Sequence, residues 1–331
     1  MSQELYLSSG GFEAARHSSL TKGAKPQLHG HSFRVDCVTY EFIYPHLSQL
    51  CSALNLTHLN DQLMNADNEA LVAWFIKHLG QDTIQRLQLW SGPYYGITFV
   101  SGRKVNAWFR SRFEAAHFLP QVGRDHKCGR LHGHGFEVLI HCAIDQYEKV
   151  HAYWQQLHTQ LHHQVLNDMN GLTNPTSEII AYWIWQEFAK VGLTIIEVTV
   201  FETRSTGSVF NGQDFYIWKE FSFDSATRLP GSQQIIGHTY LLRVGLSSSL
   251  DTVFQWVEDF GDVKKVFSPL INQFDHQPLH DFFGQGDLQD CLVAMEKEAL
   301  GLLPKIVRMS LWQTPSEGLR RNYSMQPTWV E

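Results

Sequence analysis

The residues best suited to chemistry lie in one short stretch, Phe113-Glu-Ala-Ala-His117 followed by His126-Lys-Cys128-Gly-Arg-Leu-His132-Gly-His134. His132 and His134 are two apart, so an extended strand points both imidazoles to one face. His117 ends the strand before them, and an antiparallel hairpin sets that end beside the start of the next strand. Three neutral imidazoles converging in this way make an open Zn2+ site with its fourth position left for water or substrate. Gly133 removes a side chain that would crowd the turn between the two ligands. Cys128 lies four residues before His132 and follows His126 and Lys127. A nearby divalent charge and basic neighbours lower a thiol's pKa, which supplies a thiolate able to take a proton near neutral pH. A fourth, structural metal ligand is the other role open to it.

The elements that must position these groups recur three times. Phe12-Glu-Ala-Ala-Arg16, Phe113-Glu-Ala-Ala-His117 and Phe223-Asp-Ser-Ala-Thr227 each end a strand-like run. Each is followed by Leu28-His-Gly-His31, Leu131-His-Gly-His134 or Ile235-Ile-Gly-His238, opening a second strand. Then come Leu59-Asn-Asp61, Leu166-Asn-Asp168 and Leu279-His-Asp281, and after them Leu89-Trp-Ser91, Val200-Phe-Glu202 and Leu311-Trp-Gln313. Four landmarks in one order at a period of roughly 100 to 113 residues mark a triplication. Each unit reads as strand, strand, helix, helix, strand, strand. In the middle unit the helical spacing runs from Glu148 to Leu166. A second helix, Ile179 to Val191, is capped from Thr176 or Ser177, whose side-chain oxygen accepts an unpaired backbone N–H. Unit boundaries are expected near residues 103 and 221, giving 1–103, 104–221 and 222–331. No long linker marks either, so the units are expected to pack together and join their sheets.

The 331 residues, 43% hydrophobic and 18% charged, suit a folded protein with an ample core. A net charge of -7 argues against a nucleic-acid or membrane surface, which needs clustered Lys and Arg, and favours a small-molecule partner. The beginning of the chain lacks a basic-then-apolar leader, and no apolar run approaches a membrane span, which suggests a cytoplasmic protein. Five cysteines without regular spacing argue for reduced thiols.

The middle unit resembles the 6-pyruvoyl-tetrahydropterin synthase family, and in particular its 6-carboxy-tetrahydropterin synthase branch of the queuosine pathway. The residues that carry the resemblance are the histidine and cysteine segment above, Leu166-Asn-Asp168, Asn174-Pro-Thr-Ser-Glu178, Trp183-Ile-Trp185 and Phe201-Glu-Thr203. The short Cys-x3-His-Gly-His spacing is similar to the carboxy branch. The resemblance is dense over residues 105 to 220 and thinner elsewhere. It implies an α+β fold of three tandem tunnelling-fold (T-fold) units, each a four-stranded antiparallel sheet with two helices. Together they close into a pseudo-trimeric β-barrel with the helices outside, and two such rings are expected to pack as a homodimer. It implies that His117, His132 and His134 hold Zn2+, that Cys128 is the catalytic base, and that Glu202, with Thr176, binds a pterin. The implied reaction is cleavage chemistry on 7,8-dihydroneopterin triphosphate. Pyruvoyl-type or aldolase-type products, or pterin or purine binding without catalysis, are the alternatives.

The family also uses an Asp-His pair, and here the three units divide the parts. The middle unit has Leu161-His162-His163 where Leu-Asp-His is expected, whereas the third keeps Asp275-His276 but has Thr227, Ile236 and Gln313 at the other positions. The first keeps His29 and His31 beside Arg16, Lys25, Asn55-Leu56 and Ser91. One working site per chain is therefore expected, between units two and three, with Asp275 and His276 completing it. His163 is the alternative donor.

Overall fold

A computed structural model describes residues 2–18, 25–123, 125–229, 231–284 and 286–323. The first unit contains β1 (Gln3–Ser18), β2 (Gln27–Thr39), α1 (Tyr44–Leu54), the two-residue β3 (Thr57–His58), α2 (Asn68–Leu79), β4 (Ile84–Trp90) and β5 (Tyr95–Val100). The second contains β6 (Asn106–His117), β7 (His132–Ala143), α3 (Tyr147–Leu161), α4 (Ser177–Lys190), β8 (Ile195–Thr203) and β9 (Thr206–Phe210). The third repeats the pattern with β10 (Phe215–Arg228), β11 (Ile235–Ser247), α5 (Phe260–Phe274), α6 (Leu288–Leu302), β12 (Ile306–Thr314) and β13 (Glu317–Asn322). The boundary expected at 221 falls inside β10. The helical run read to Leu166 ends at Leu161, and Leu166–Asp168 forms a separate 3-10 turn.

All the long strands pair antiparallel with their neighbours, and β13 pairs back onto β1 from Gln3↔Asn322 to Ser8↔Glu317, closing the sheet into a barrel. The units meet through β5 with β6, β9 with β10, and β13 with β1. The chain is thus three tandem T-fold units in one closed ring, as the repeat pattern implies.

Alternation decides what faces where. On β8, Val198 and Val200 join the apolar core beneath α3 and α4, while Glu197 and Thr199, alternating with them, point to the other side and are also buried. Each unit has its own apolar core of this kind, drawn from residues 12–107, 109–210 and 217–319. The inner face of the barrel is mixed by contrast: Thr199, Arg308, Ser310 and Arg320 are buried there beside Val38, Val209 and Trp218.

One local device recurs in all three units. Asn55, His162 and Asp275 each accept a hydrogen bond from the backbone N–H of Glu13, Glu114 or Asp224, at 2.9, 3.0 and 2.9 Å. The next residues, Leu56, His163 and His276, take left-handed φ values of 57°, 63° and 59°. Each donates its own N–H to the carbonyl of the same strand residue at 2.6 Å. This conformation costs a residue with a Cβ about 1–2 kcal/mol, and Leu56, 82% exposed, recovers none of it by burial. Leu56→Asn should therefore raise the unfolding free energy by about 1 kcal/mol, read as a higher denaturant midpoint at unchanged slope. A lower midpoint would mean that the leucine is covered in solution.

Candidate active site

Strand pairing builds the centre. His117 at the end of β6 lies directly opposite His132 at the start of β7, and His134 opposite Ala115. One ring nitrogen from each of the three lies within 4.8 Å of the others, the only such group among the described residues. The other ring nitrogens face backbone carbonyls. His117 Nδ1 meets Pro175 O at 3.0 Å, His132 Nδ1 meets Arg130 O at 2.8 Å, and His134 Nδ1 is 3.4 Å from Gly135 O. A carbonyl can only accept, so each Nδ1 carries the proton and each Nε2 presents a lone pair. The Nε2 atoms of His117 and His134 then face one another at 3.2 Å as two acceptors. That arrangement is repulsive until a cation lies between them. The separation is near the ~3.4 Å expected of two nitrogens about 2.0–2.1 Å from a tetrahedral ion. Burial first, and the neighbouring imidazoles with it, push His117 down to about 4, so the ring is neutral and ready to ligate. Gly133 is close to Ala115 O, where a Cβ would come within 3.2 Å.

Cys128 sits on a 3-10 turn, Lys127–Gly129, held by Leu119 N–H to Cys128 O at 2.8 Å. The protein's own groups do not lower its thiol, so the lowering expected there falls to the divalent charge. Burial raises it, the negative charges of Glu202 and Asp259 raise it further, and Lys127 alone opposes them. Burial likewise pushes the Glu202 carboxyl up to about 6, with Asp259 adding repulsion and Lys127 and Lys219 countering it. Cys128, His132, His134, Lys127 and Glu202 all line one cavity of about 1000 Å³ that continues into the barrel.

Unit three contributes to this centre, though not through the residues expected. The segment 254–259 packs against the start of α4: Asn174 Nδ2 donates to Phe254 O at 2.8 Å, and Glu178 Oε1 accepts from Val257 N at 3.0 Å. Asp259 Oδ2 lies 3.6 Å from His126 Nε2. Asp275 and His276 are at the opposite end of α5, whose 15 residues span about 22 Å. There Asp275 Oδ1 is 3.1 Å from His276 Nδ1, and the His276 side chain is 76% exposed. Within one chain the pair does not join the Cys128 cavity. His162 and His163 occupy the equivalent place in unit two, and neither lines the Cys128 cavity. Thr176 is buried, caps α4 by accepting from Ile179 N at 3.2 Å, and donates to Gln255 O at 2.9 Å. It lies outside the cavity, and its hydroxyl is engaged in joining the two units.

The other two interfaces have been filled. Arg16 stands at the position of His117, its guanidinium 3.3 Å from His31 Nε2 and bonded to Ala66 O and Asn68 Oδ1, so a fixed positive charge occupies the place of a cation. His17 turns instead to His58, 3.0 Å away. In unit three Gln313 Nε2 donates to His238 Nε2 at 2.8 Å, while Thr227 bonds to Gly286 O. Sequence reasoning gave no role to Lys219 or Asp259. Lys219 lies in a strand without a motif, and Asp259 lies in Glu258-Asp-Phe-Gly-Asp262, a stretch similar to the family, where it caps α5 by accepting from Gly261 N and Asp262 N.

The family model described as 6-pyruvoyl tetrahydropterin synthase matches residues 107–213 and again 216–318. A 6-carboxy-5,6,7,8-tetrahydropterin synthase of Synechocystis sp. is 37% identical over 111 residues, covering 29% of this chain and 84% of that protein. A solved 6-pyruvoyl tetrahydropterin synthase structure from Caenorhabditis elegans is similar at 19% identity and a TM-score of 0.31, over 33% of this chain and 95% of that one. With more than half its length matched, the chain belongs to the 6-pyruvoyl tetrahydropterin synthase family. It is a lyase-type, tetrahydropterin synthase-like member with two matching repeats and a more divergent first one.

Glu178 gives the site a testable pH signature. Burial pushes its carboxyl up to about 7, against hydrogen bonds that favour the ionised form. The folded state therefore binds this proton more tightly than the unfolded chain does, and the group's contribution weakens stability as pH rises from about 4.5 to about 7. Glu178→Gln retains an acceptor for Val257 N–H and removes the charge. Its stability relative to wild type should climb across that window, by on the order of 3 kcal/mol at most, in denaturant titrations at several pH values. A constant difference would place the Glu178 titration elsewhere.

Proposed function

We propose that this chain is a zinc-dependent 6-carboxy-tetrahydropterin synthase-like lyase acting on 7,8-dihydroneopterin triphosphate, in a queuosine-type pathway of the cytoplasm. The observation that carries the reading is the convergence of His117 with His132 and His134, the latter two lining one cavity with the Cys128 thiol and the Glu202 carboxyl. The short Cys128-to-His132 spacing and the Synechocystis relative support the carboxy branch. Among the described residues no helix is long and apolar enough to cross a membrane. We take the units to meet in the links 101–105 and 211–214.

Each residue has a separable task. His117, His132 and His134 hold the ion, which supplies Lewis acidity toward oxygens of the substrate side chain. Glu202 accepts parallel N–H bonds from the guanidine-like edge of the pterin. That contact favours the ionised form of Glu202, whose carboxyl burial otherwise pushes up to about 6. Cys128 then takes the proton from the substrate side chain. His276, oriented by Asp275, exchanges protons on the other side of the reaction. Thr176 acts indirectly, by holding the 254–259 segment against α4.

Because Asp275 and His276 lie away from Cys128 in the same chain and are exposed, they are proposed to serve the site of a second copy. Leu28, Leu131 and Ile235, at equivalent positions one residue before the second strand's ligand pair, are all exposed and give such a copy an apolar rim to pack on. A homodimer of pseudo-trimers follows.

Metal-stripped protein should take up one divalent ion per chain, and His134→Ala should take up none, by elemental analysis after dialysis. Cys128→Ala should lose at least 100-fold in turnover of dihydroneopterin triphosphate while keeping pterin affinity. Unchanged turnover would remove Cys128 from the base role, and absent turnover in wild type with tight pterin binding would favour a binding protein. Mixing Cys128→Ala with His276→Ala subunits should restore about a quarter of wild-type activity, the share random pairing gives a two-site dimer. No restoration would place both groups in one chain's site or outside it.

A further inference from the structure

Arg16 fills the first unit's centre, yet that unit carries another pair of histidines on a different face. The short β3 pairs in parallel with β1, Ala14 opposite Thr57 and Ala15 opposite His58. Paired residues share a face, as do strand residues two apart, so His58 and His17 point to one side. Arg16 and its cross-strand partner His29 point to the other. The two rings meet with His17 Nδ1 3.0 Å from His58 Nε2 and with centroids 5.1 Å apart. On its far side His58 Nδ1 lies 3.5 Å from Asp61 Oδ1. A carboxylate there favours the tautomer protonated on Nδ1, which leaves the His58 Nε2 lone pair facing His17. Asn60 clamps the backbone of His17: its Oδ1 accepts from His17 N at 2.7 Å, and its Nδ2 donates to His17 O at 3.3 Å.

The other two units show what the fold alone requires at this place. The same parallel contact recurs as Ala116↔Val165 and Ala226↔Pro278. Val165 and Pro278 therefore stand where His58 does, and Phe118 and Arg228 where His17 does. Asn167 clamps Phe118 in the same way, at 2.9 and 2.8 Å. The clamp belongs to the fold, whereas the two imidazoles belong to the first unit. Packing does not ask for them, since His17 is exposed and His58 half-buried, and a hydrogen bond between two rings that water reaches contributes little. Distance decides which ion suits them. Two nitrogens about 2.0–2.1 Å from one cation stand ~3.4 Å apart at a tetrahedral angle and ~2.9 Å apart at a right angle. The 3.0 Å between His17 and His58 fits the right angle. Right angles suit ions of tetragonal geometry, Ni2+ and Cu2+, which also stand at the strong end of the first-row series for nitrogen ligands.

We propose that His17 and His58 form a second metal site, particular to the first unit, which takes Ni2+ or Cu2+ with water at the remaining positions and Asp61 orienting His58 from behind. The site shares no residue with the three-histidine centre, and it stands whether or not the chain turns over a pterin. Two protein ligands hold an ion reversibly, so dialysis removes it and leaves the three-histidine centre loaded.

Ni2+ is the probe, titrated calorimetrically into protein whose three-histidine centre is already filled with Zn2+. Wild type should bind it saturably, and more tightly than it binds further Zn2+. His17→Phe and His58→Val place the second unit's residues in the same clamp, so both variants keep the fold, and each should weaken Ni2+ binding by roughly tenfold or more. Asp61→Asn should weaken it by a smaller factor, because the residue it changes orients a ligand without being one. His17→Phe should leave the zinc content after dialysis unchanged, which separates this site from the three-histidine centre. Carbethoxylation of His17 and His58, followed peptide by peptide by mass spectrometry, should fall when Ni2+ is added. The proposal is overturned if the zinc-loaded protein shows no saturable Ni2+ binding, or if both His17→Phe and His58→Val bind Ni2+ as wild type does. Zn2+ binding at this pair more tightly than Ni2+ would remove the tetragonal ion as its ligand.

Discussion

The long strands of the barrel are buried on both faces over much of their length, and the two faces make opposite demands. The outer face meets helices and must be apolar; the inner face meets a narrow lumen and can be polar only if its groups answer one another. Strand alternation satisfies both with a single sequence pattern, Val198 and Val200 outward, Glu197 and Thr199 inward. Closure through β13 and β1 makes this possible, since it leaves no edge to be solvated. The three-histidine centre depends on the same geometry, because β6 and β7 hold register up to the last residue of one and the first of the other.

Much of this was legible in the sequence because the information was local or repeated. Alternation, helical spacing and the cap at Thr176 are short-range signals, and three copies of each reduce the ambiguity of any one. The two-residue spacing of His132 and His134 determines a shared face without knowledge of the fold. What was not legible depends on which segment lies beside which at the far side of a unit. Asp259 and Lys219 reach the Cys128 region from a neighbouring repeat, and no spacing along the chain announces that. The same gap explains the misplaced Asp275 and His276. Their identity was readable, but a helix of 15 residues carries them away from the cavity that the other end of the same helix adjoins.

The thiol is the clearest case of a local rule yielding to its surroundings. His126 and Lys127 suggested an electropositive turn, yet burial and two carboxylates outweigh them. The positive-φ residues make a related point. Leu56, His163 and His276 share one backbone conformation and one pair of backbone contacts, so the fold maintains the shape of that corner after the side chain's chemistry has been exchanged.

Covalent tethering of the three units has a consequence for symmetry. A ring of identical subunits must present any inward-facing group three times around its axis, so a lone charge there becomes three charges within a few ångströms. One continuous chain escapes that rule. Thr98, Val209 and Arg320 occupy matching places around the lumen, and the pore of this molecule therefore has one side unlike the other two, which no three-fold ring of identical subunits can possess.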